Sequence, residues 1–246
     1  MINLIILVLL FSIYSFIGWI METIYVSFRH KKFVNRGFLH GPFCPIYGFG
    51  AILVLLGARY IDNITDKVPL SYIILIIYSI FITSAIEFVT GYLLEKIFHQ
   101  KWWDYSNHPM NIKGYICPQI SLYWGALAFV FIQFIHPRIN KLILTIPDQF
   151  QIIVSVLLIL YFATDTIKTV INLIDLRKII VHYSNVSIQI YRNKILKYRR
   201  YFQAFPRLQA LNSGIKNRDI KGILNDRIGK LKAEIKTKID QRRDWK

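Results

Sequence analysis

The apolar residues of this 246-residue chain gather into long runs rather than into short alternating or amphipathic patterns. A helix of about 20 apolar residues crosses a hydrocarbon layer about 30 Å thick. Five runs have about that length: Ile2–Val26, Cys44–Tyr60, Leu70–Ile97, Cys117–Ile135 and Phe150–Leu173. They predict an all-α, polytopic membrane protein with about five transmembrane helices. The first run carries no cleavage pattern of the signal-peptide kind, so we expect it to remain as a span.

Composition supports the membrane assignment and separates a tail from it. Hydrophobic residues make up 54% of the chain, which exceeds the share in an ordinary soluble domain. Residues 177–246 hold 19 of the 31 Lys and Arg but only 5 of the 14 Asp and Glu, so they carry +14 of the net +17. We therefore predict a transmembrane domain over residues 1–176 and a basic tail over residues 177–246. Anionic lipid headgroups are the expected partner of such a tail, and nucleic acid is not favoured.

Two segments of the tail have apolar residues at helical spacing. The first set is Ile188, Tyr191, Ile195, Tyr198 and Phe202, and the second is Ile220, Leu224, Ile228, Leu231, Ile235 and Ile239. Both predict amphipathic helices with Lys and Arg on their outer faces. Such helices could dock on each other, self-associate through a short coiled coil, or lie on the bilayer.

Basic residues beside the runs predict the orientation of the chain, since Lys and Arg concentrate on the cytoplasmic side. The first connection contains Arg29, Lys31, Lys32 and Arg36, and the third contains Lys101 and Lys113. The second connection contains Arg59 and Lys67, offset by Asp62 and Asp66, and the fourth contains Arg138 and Lys141, so the bias is modest in the connections and strong in the tail. With the basic tail inside, five spans place the N-terminus outside the cytoplasmic membrane and the C-terminus inside. The first and third connections then face the cytosol.

Three acidic residues fall within lipid depth, namely Glu22, Glu87 and Asp165. A carboxylate at that depth costs several kcal/mol unless it faces protein or water, so these residues are functional candidates. All three lie on spans running from outside to inside, and we expect them to share one site open to the cytosol. A structural alternative remains for two of them. Glu22 could lie at the membrane interface and pair with Arg29 or Lys32, and Asp165 could pair with Lys168 one helical turn away.

The third connection reads KWWDYSNHPMNIKGYICP over residues 101–118, which is more polar chemistry than a turn requires. Tryptophans such as Trp102 and Trp103 suit a membrane interface. The hydrogen-bonding side chains of Asp104, Tyr105, Ser106 and Asn111 could satisfy one another or bind a ligand. The nearby histidines lack the spacing of a metal site, so neither a metal nor a cofactor is expected.

The sequence also contains a weak internal repeat. When Glu22 is aligned with Glu87, similar strings follow each glutamate. They are Arg36-Gly37, Cys44-Pro45 and Tyr47-Gly48 in the first half, and Lys113-Gly114, Cys117-Pro118 and Trp124-Gly125 in the second. Each half would be a span with a late glutamate, a cytosolic segment and Cys-Pro opening the next span. Both halves would enter the membrane in the same direction, which defines a parallel repeat. A disulfide between the two cysteines is not required by this arrangement.

Three stretches, FSIYSFIGWIMETIYVS, RGFLHGPFCPIYGFGA and KWWDYSNHPMNIKGYICP, resemble the bacterial family named "putative ABC-transporter type IV". The resemblance covers about residues 8–130. The family pattern marks Gly18, Trp19, Glu22, Arg36, Gly37, Gly41, Pro42, Cys44, Pro45, Tyr47 and Gly48 in the first half. In the second half it marks Glu87, Trp103, Asp104, Tyr105, Ser106, Asn111, Gly114, Cys117, Ser121, Trp124 and Gly125. This chain departs from the pattern at His40, Pro118 and Gln119.

The resemblance implies a permease-like subunit of an ABC-type or related transporter. The sequence contains no GxxxxGK[ST] string, so the ATPase would be a separate chain. In this interpretation Glu22 and Glu87 bind a proton or cation, with Arg36 as their partner or as an anion contact. The functional candidates are Glu22, Arg36, Glu87, Trp103, Asp104, Tyr105, Ser106 and Asn111.

Two alternatives stay open at the level of sequence. An intramembrane enzyme could act on a lipid or lipid-linked substrate at the cytoplasmic leaflet. Asp104 or Glu87 would then serve as general base, and Arg36 would hold a phosphate. In the other alternative, the membrane part is an anchor or regulatory subunit, and the basic tail is the working surface.

Overall fold

A computed structural model of the chain describes residues 3–64, 68–181, 200–201, 204 and 209–210. The helices are α1 (Leu4–His30), α2 (Pro45–Ile64), α3 (Val68–Phe98), α4 (Pro118–Val130), α5 (His136–Leu144) and α6 (Asp148–Val181). Two strands of two residues each, β1 (Gln100–Lys101) and β2 (Gln209–Ala210), pair antiparallel. Within the described residues, five helical segments are long and apolar enough to cross a membrane. The prediction of an all-α, polytopic protein with five spans is confirmed.

The fourth span is longer than the apolar run that predicted it. A π-helical turn, Phe131–Ile135, joins α4 to α5, and the combined span covers Pro118–Leu144. The apolar run ended at Ile135, immediately before the polar string His136-Pro137-Arg138. The helix continues because Pro137 lies in the first turn of α5, where a missing backbone N–H is tolerated.

Local sequence explains several helix ends. Asn3 caps α1, and its Oδ1 accepts a hydrogen bond of 3.2 Å from the backbone N–H of Ile5. At the other end of α1, Lys31 adopts a left-handed conformation with φ of 50°. Pro45 and Pro118 occupy the first positions of α2 and α4, as the two Cys-Pro strings predicted.

The helix pairs α1/α2 and α3/α4 pack by the same rule. A Cβ atom at Gly48 of α2 would collide with Ser15 of α1, and one at Gly125 of α4 would collide with Ile80 of α3. Each contacted residue lies seven positions before the glutamate of its own span. Small residues at such contacts let membrane helices approach closely. The shared offset supports the internal repeat.

The chain forms two compact units, Met1–Leu93 with Asp104–Ile171, and Leu94–Trp103 with Asn172–Lys246. In the second unit, Trp102 is buried and its ring lies 6.2 Å from that of Tyr201. The two predicted tail helices fall almost wholly outside the described residues. The predicted domain boundary between residues 176 and 177 therefore stays a prediction.

Candidate functional site

The first glutamate, Glu22, is paired on both of its carboxylate oxygens. Arg36 Nε lies 2.7 Å from Oε2, and the two side chains are 25% and 28% exposed. The hydroxyl of Tyr47 donates a hydrogen bond of 2.8 Å to Oε1. Glu22 therefore has a cationic partner as well as a neutral one. Its expected alternative, a pair with Arg29 or Lys32, is replaced by the pair with Arg36.

Arg36 lies on the non-helical segment between α1 and α2, and side chains of α1 and of the segment itself hold that segment in place. Asn35 Oδ1 accepts a hydrogen bond of 2.7 Å from the indole of Trp19, and Asn35 Nδ2 donates one of 3.0 Å to the carbonyl of His40. The backbone N–H of Arg36 donates to Thr23 Oγ1 at 3.3 Å. These bonds bring the guanidinium to the late turns of α1.

The second glutamate, Glu87, has a different environment. It is 7% exposed, and the hydroxyl of Tyr105 donates a hydrogen bond of 3.0 Å to its Oε1. The Trp124 side chain is a second polar neighbour, but Oε2 receives no hydrogen bond of normal geometry from the residues that the structure describes. Within those residues Glu87 also has no ion-pair partner. Glu87 is thus a buried carboxylate whose neighbours are neutral and whose Oε2, which we call its open oxygen, accepts no hydrogen bond from the described residues.

Aromatic side chains connect the two glutamates. The rings of Tyr47 and Trp124 meet edge to face with centroids 5.3 Å apart. Glu22 is also close enough for its charge to act on Glu87 and on Tyr105. We call this set, which comprises Glu22, Arg36, Tyr47, Glu87, Tyr105 and Trp124, the paired-glutamate cluster. Sequence reasoning proposed four of its members as site residues and missed Tyr47 and Trp124, although the repeat and the family pattern contain both.

The remaining candidates of the third connection shape the loop that carries Tyr105. Asp104 Oδ1 accepts hydrogen bonds from the backbone and hydroxyl of Ser106 at 3.1 and 2.5 Å. Asn111 donates to the carbonyl of His108 at 2.8 Å and accepts from the backbone of Gly114 at 3.0 Å. The backbone N–H of Tyr105 donates to the carbonyl of Gly114 at 2.8 Å. Trp103 is half-buried and belongs to the other unit.

Tyr105 acts as a neutral donor in the cluster. Burial raises the pKa of its hydroxyl, and the charge of Glu87 raises it further. The hydroxyl therefore keeps its proton and presents it to Glu87. In the part of the chain that the structure describes, no group of three or more His, Cys, Asp or Glu side chains is placed to hold a metal ion. What the cluster can do chemically is accept a proton or a single cation at the open oxygen of Glu87.

The third acid, Asp165 of α6, contacts the first connection instead of Lys168. Its Oδ1 accepts a hydrogen bond of 3.1 Å from the backbone N–H of His40, and its Oδ2 accepts one of 2.8 Å from that of Gly41. Sequence reasoning gave His40 little weight because it departs from the family pattern. The hydrogen bond to Asp165 comes from the backbone N–H of His40, which every residue type except proline would supply, and the His40 ring Nδ1 lies 3.5 Å from the same Oδ1.

The sequence profile of one family, described as "Putative ABC-transporter type IV", matches residues 9–170, which is more than half of the chain. No curated protein and no solved structure matches the chain. The matched region contains every residue of the paired-glutamate cluster and the five membrane-span-like helices almost completely. The chain is a multi-pass membrane protein and belongs to the family described as "Putative ABC-transporter type IV".

Proposed function

We propose that this protein is a permease-like subunit of an ABC-type or related transporter, and that Glu87 takes up a proton or a cation during transport. The observation that carries the proposal is the contrast between the two glutamates. Glu22 is neutralised by Arg36, whereas Glu87 is buried among neutral groups with one open oxygen. A carboxylate inside a membrane span is costly, about 3 kcal/mol at the centre of a helix by insertion measurements. Such a residue is a functional candidate by default.

A bound cation or proton would remove that cost. Its positive charge would cancel the charge of Glu87, and the hydroxyl of Tyr105 would hold the carboxylate in place at 3.0 Å. Glu22 does not compete with Glu87 for the same cation, because the Arg36 guanidinium already lies 2.7 Å from the Glu22 carboxylate. Binding and release at Glu87 would then alternate with motions of the surrounding helices.

Family membership suggests an ATPase partner, which we propose to be a separate chain that binds the cytosolic side. With the N-terminus outside, both glutamates lie in the cytoplasmic half of their spans, close to such a partner. Membrane lipids would contact the exposed apolar faces of the helices, and α6 provides a large one. Self-association through the basic tail remains part of the proposal.

An intramembrane enzyme is the second candidate, and one contact favours it. A tyrosine hydroxyl bonded directly to a buried carboxylate, with an arginine in the same cluster, could transfer a proton to or from a lipid-linked substrate. Asp104 is a weaker choice of base, since Ser106 already occupies its Oδ1 twice.

A comparison of cells lacking the protein with complemented cells separates the two candidates. The complementing chains are the wild type, Glu87→Gln, Tyr105→Phe and the control Asp148→Asn, which also converts a carboxylate to an amide but at an exposed position. Mass spectrometry would compare small solutes inside and outside the cells, and extracted lipids.

For transport, we expect loss of the protein to change the distribution of an unmodified solute. Glu87→Gln should fail to restore it, Tyr105→Phe should restore it partly, and Asp148→Asn should restore it fully, all at equal protein levels. Accumulation of a chemically distinct precursor lipid would instead identify the enzyme. Full restoration by Glu87→Gln would refute the role given to this residue, and loss of function only on deleting residues 177–246 would favour the anchor alternative.

A further inference from the structure

A buried carboxylate on α6, that of Asp165, binds the connection between α1 and α2. Asp165 is 7% exposed, and each of its two oxygens accepts a backbone N–H, from His40 at 3.1 Å and from Gly41 at 2.8 Å. The hydroxyl of Tyr161, one turn earlier on α6, donates to the same carboxylate at 3.4 Å. Hydrogen bonds from two consecutive backbone groups fix both the position and the direction of the segment.

Side chains on both sides fit this contact. A Cβ atom at position 41 would overlap the hydroxyl of Tyr161, so the approach requires glycine. The ring Nδ1 of His40 lies 2.9 Å from Thr169 Oγ1 and 3.5 Å from Asp165 Oδ1. Thr169 is fully buried. The segment is thus attached to two successive turns of α6.

The same segment is closed internally around Arg36. The carbonyl of His40 accepts the Asn35 side chain at 3.0 Å, and Cys44 Sγ donates to the carbonyl of Arg36 at 3.4 Å. The backbone N–H of Cys44 donates to the carbonyl of Ser15 on α1 at 2.9 Å. Residues 35–44 therefore form one closed turn that is attached to α1 on one side and to α6, through Asp165, on the other.

We propose that Asp165 is a positioning residue that holds Arg36 against Glu22. Through this contact, α6 controls whether Arg36 neutralises Glu22. A shift of α6 carries the turn with it and changes the distance between Arg36 and Glu22. The contact between Asp165 and the turn thereby determines whether Glu87 alone, or both Glu87 and Glu22, can bind a cation. This consequence rests on the proposed function, whereas the positioning itself does not.

Cysteine reactivity measures the attachment directly. Cys44 is buried at the end of the turn, and Cys117 is buried in the corresponding place of the second half. With Cys117→Ser, the rate of alkylation by N-ethylmaleimide reports on Cys44 alone in the full-length purified protein. With Cys44→Ser, the same reagent reports on Cys117 as an internal control. Asp148→Asn, at an exposed acid of the same helix, is the matched control variant.

We expect Asp165→Ala to accelerate labelling of Cys44 by at least about tenfold, because two hydrogen bonds to a charged group are lost. Asp165→Asn retains one acceptor oxygen and should accelerate it less, which keeps the test valid if the alanine variant does not fold. Asp148→Asn should leave the rate unchanged, and the rate at Cys117 should not respond. Unchanged labelling of Cys44, or equal acceleration at both cysteines, would overturn the proposal.

A second readout addresses Arg36 itself. The coupling between Glu22 and Arg36, measured by a double-mutant thermal cycle, should fall to less than half of its wild-type size in the Asp165→Ala background and recover largely in Asp165→Asn. A coupling of wild-type size despite faster labelling of Cys44 would show that Asp165 holds the segment without positioning Arg36. If these results hold while Glu87→Gln still supports transport, the proposed function fails and the positioning role stands.

Discussion

Replacing Arg36 by methionine tests whether the ion pair with Glu22 stabilises the protein. The change removes the guanidinium and keeps a long apolar side chain, so Glu22 loses its cation but retains the hydrogen bond from Tyr47. The second substitution of the cycle, Glu22→Gln, keeps an acceptor for that hydroxyl while removing the charge. The double variant carries neither charge.

The burial of the pair sets the expected magnitude. Exposed ion pairs contribute less than about 1 kcal/mol. Removing one partner of a fully buried pair costs about 3–5 kcal/mol. With side chains 25% and 28% exposed and a separation of 2.7 Å, the pair lies between these limits. We expect Arg36→Met to lower the free energy of unfolding by about 2 kcal/mol, and therefore the melting temperature by about 4–8 °C.

Thermal unfolding of the four purified proteins in detergent, followed by tryptophan fluorescence, provides the measurement. The double variant should be more stable than Arg36→Met alone, because it leaves no unpaired charge at the site. Lys32→Met is the matched control, since it removes an exposed cation from the same connection and should change the melting temperature by less than about 1 °C. Additive effects in the double variant, or equal losses in Arg36→Met and Lys32→Met, would refute the reasoning.

Two further tests address packing and orientation. Gly125→Ala should lower the free energy of unfolding by about 1–3 kcal/mol, because the new Cβ atom would collide with Ile80. Gly50→Ala, whose Cβ atom would have its nearest neighbour at 4.0 Å, should be neutral in the same thermal assay. Equal effects of the two substitutions would contradict the packing of α4 on α3. Asn107→Cys, exposed on the third connection, should react with an impermeant maleimide only in inverted vesicles, and Asp62→Cys only in right-side-out vesicles. Labelling of Asn107→Cys from outside would reverse the proposed orientation.

The parts of the fold that the sequence predicted are those that the bilayer itself dictates. Span length follows from membrane thickness, so the apolar runs located all five helices. The cost of a charge at lipid depth likewise singled out Glu22 and Glu87, and the structure brings them into one cluster. The fourth span extends beyond the apolar run that located it, because Pro137 lies in the first turn of α5 and the helix continues to Leu144.

Partners were harder to predict than candidates. Asp165 has Lys168 one turn away, yet its carboxylate binds the backbone of His40, which is 125 positions distant in the chain. A backbone partner leaves no trace in residue type, so no sequence pattern could have indicated it. In the third connection, the sequence identified Asp104, Ser106 and Asn111 as hydrogen-bonding groups. Only the coordinates show that these side chains bond to the loop itself.

The two helix pairs repeat one packing rule but differ in a single counter-ion. In the first half Arg36 forms an ion pair with Glu22. In the second half the hydroxyl of Tyr105 donates to Glu87, and Lys113, which the repeat aligns with Arg36, is exposed. A pseudo-symmetric scaffold of this kind permits a division of labour. In the first half Arg36 neutralises Glu22 within the chain, whereas in the function proposed above Glu87 of the second half would bind its positive partner from outside the chain. The two repeated helix pairs therefore differ in the charge of their glutamate sites, although their packing is the same.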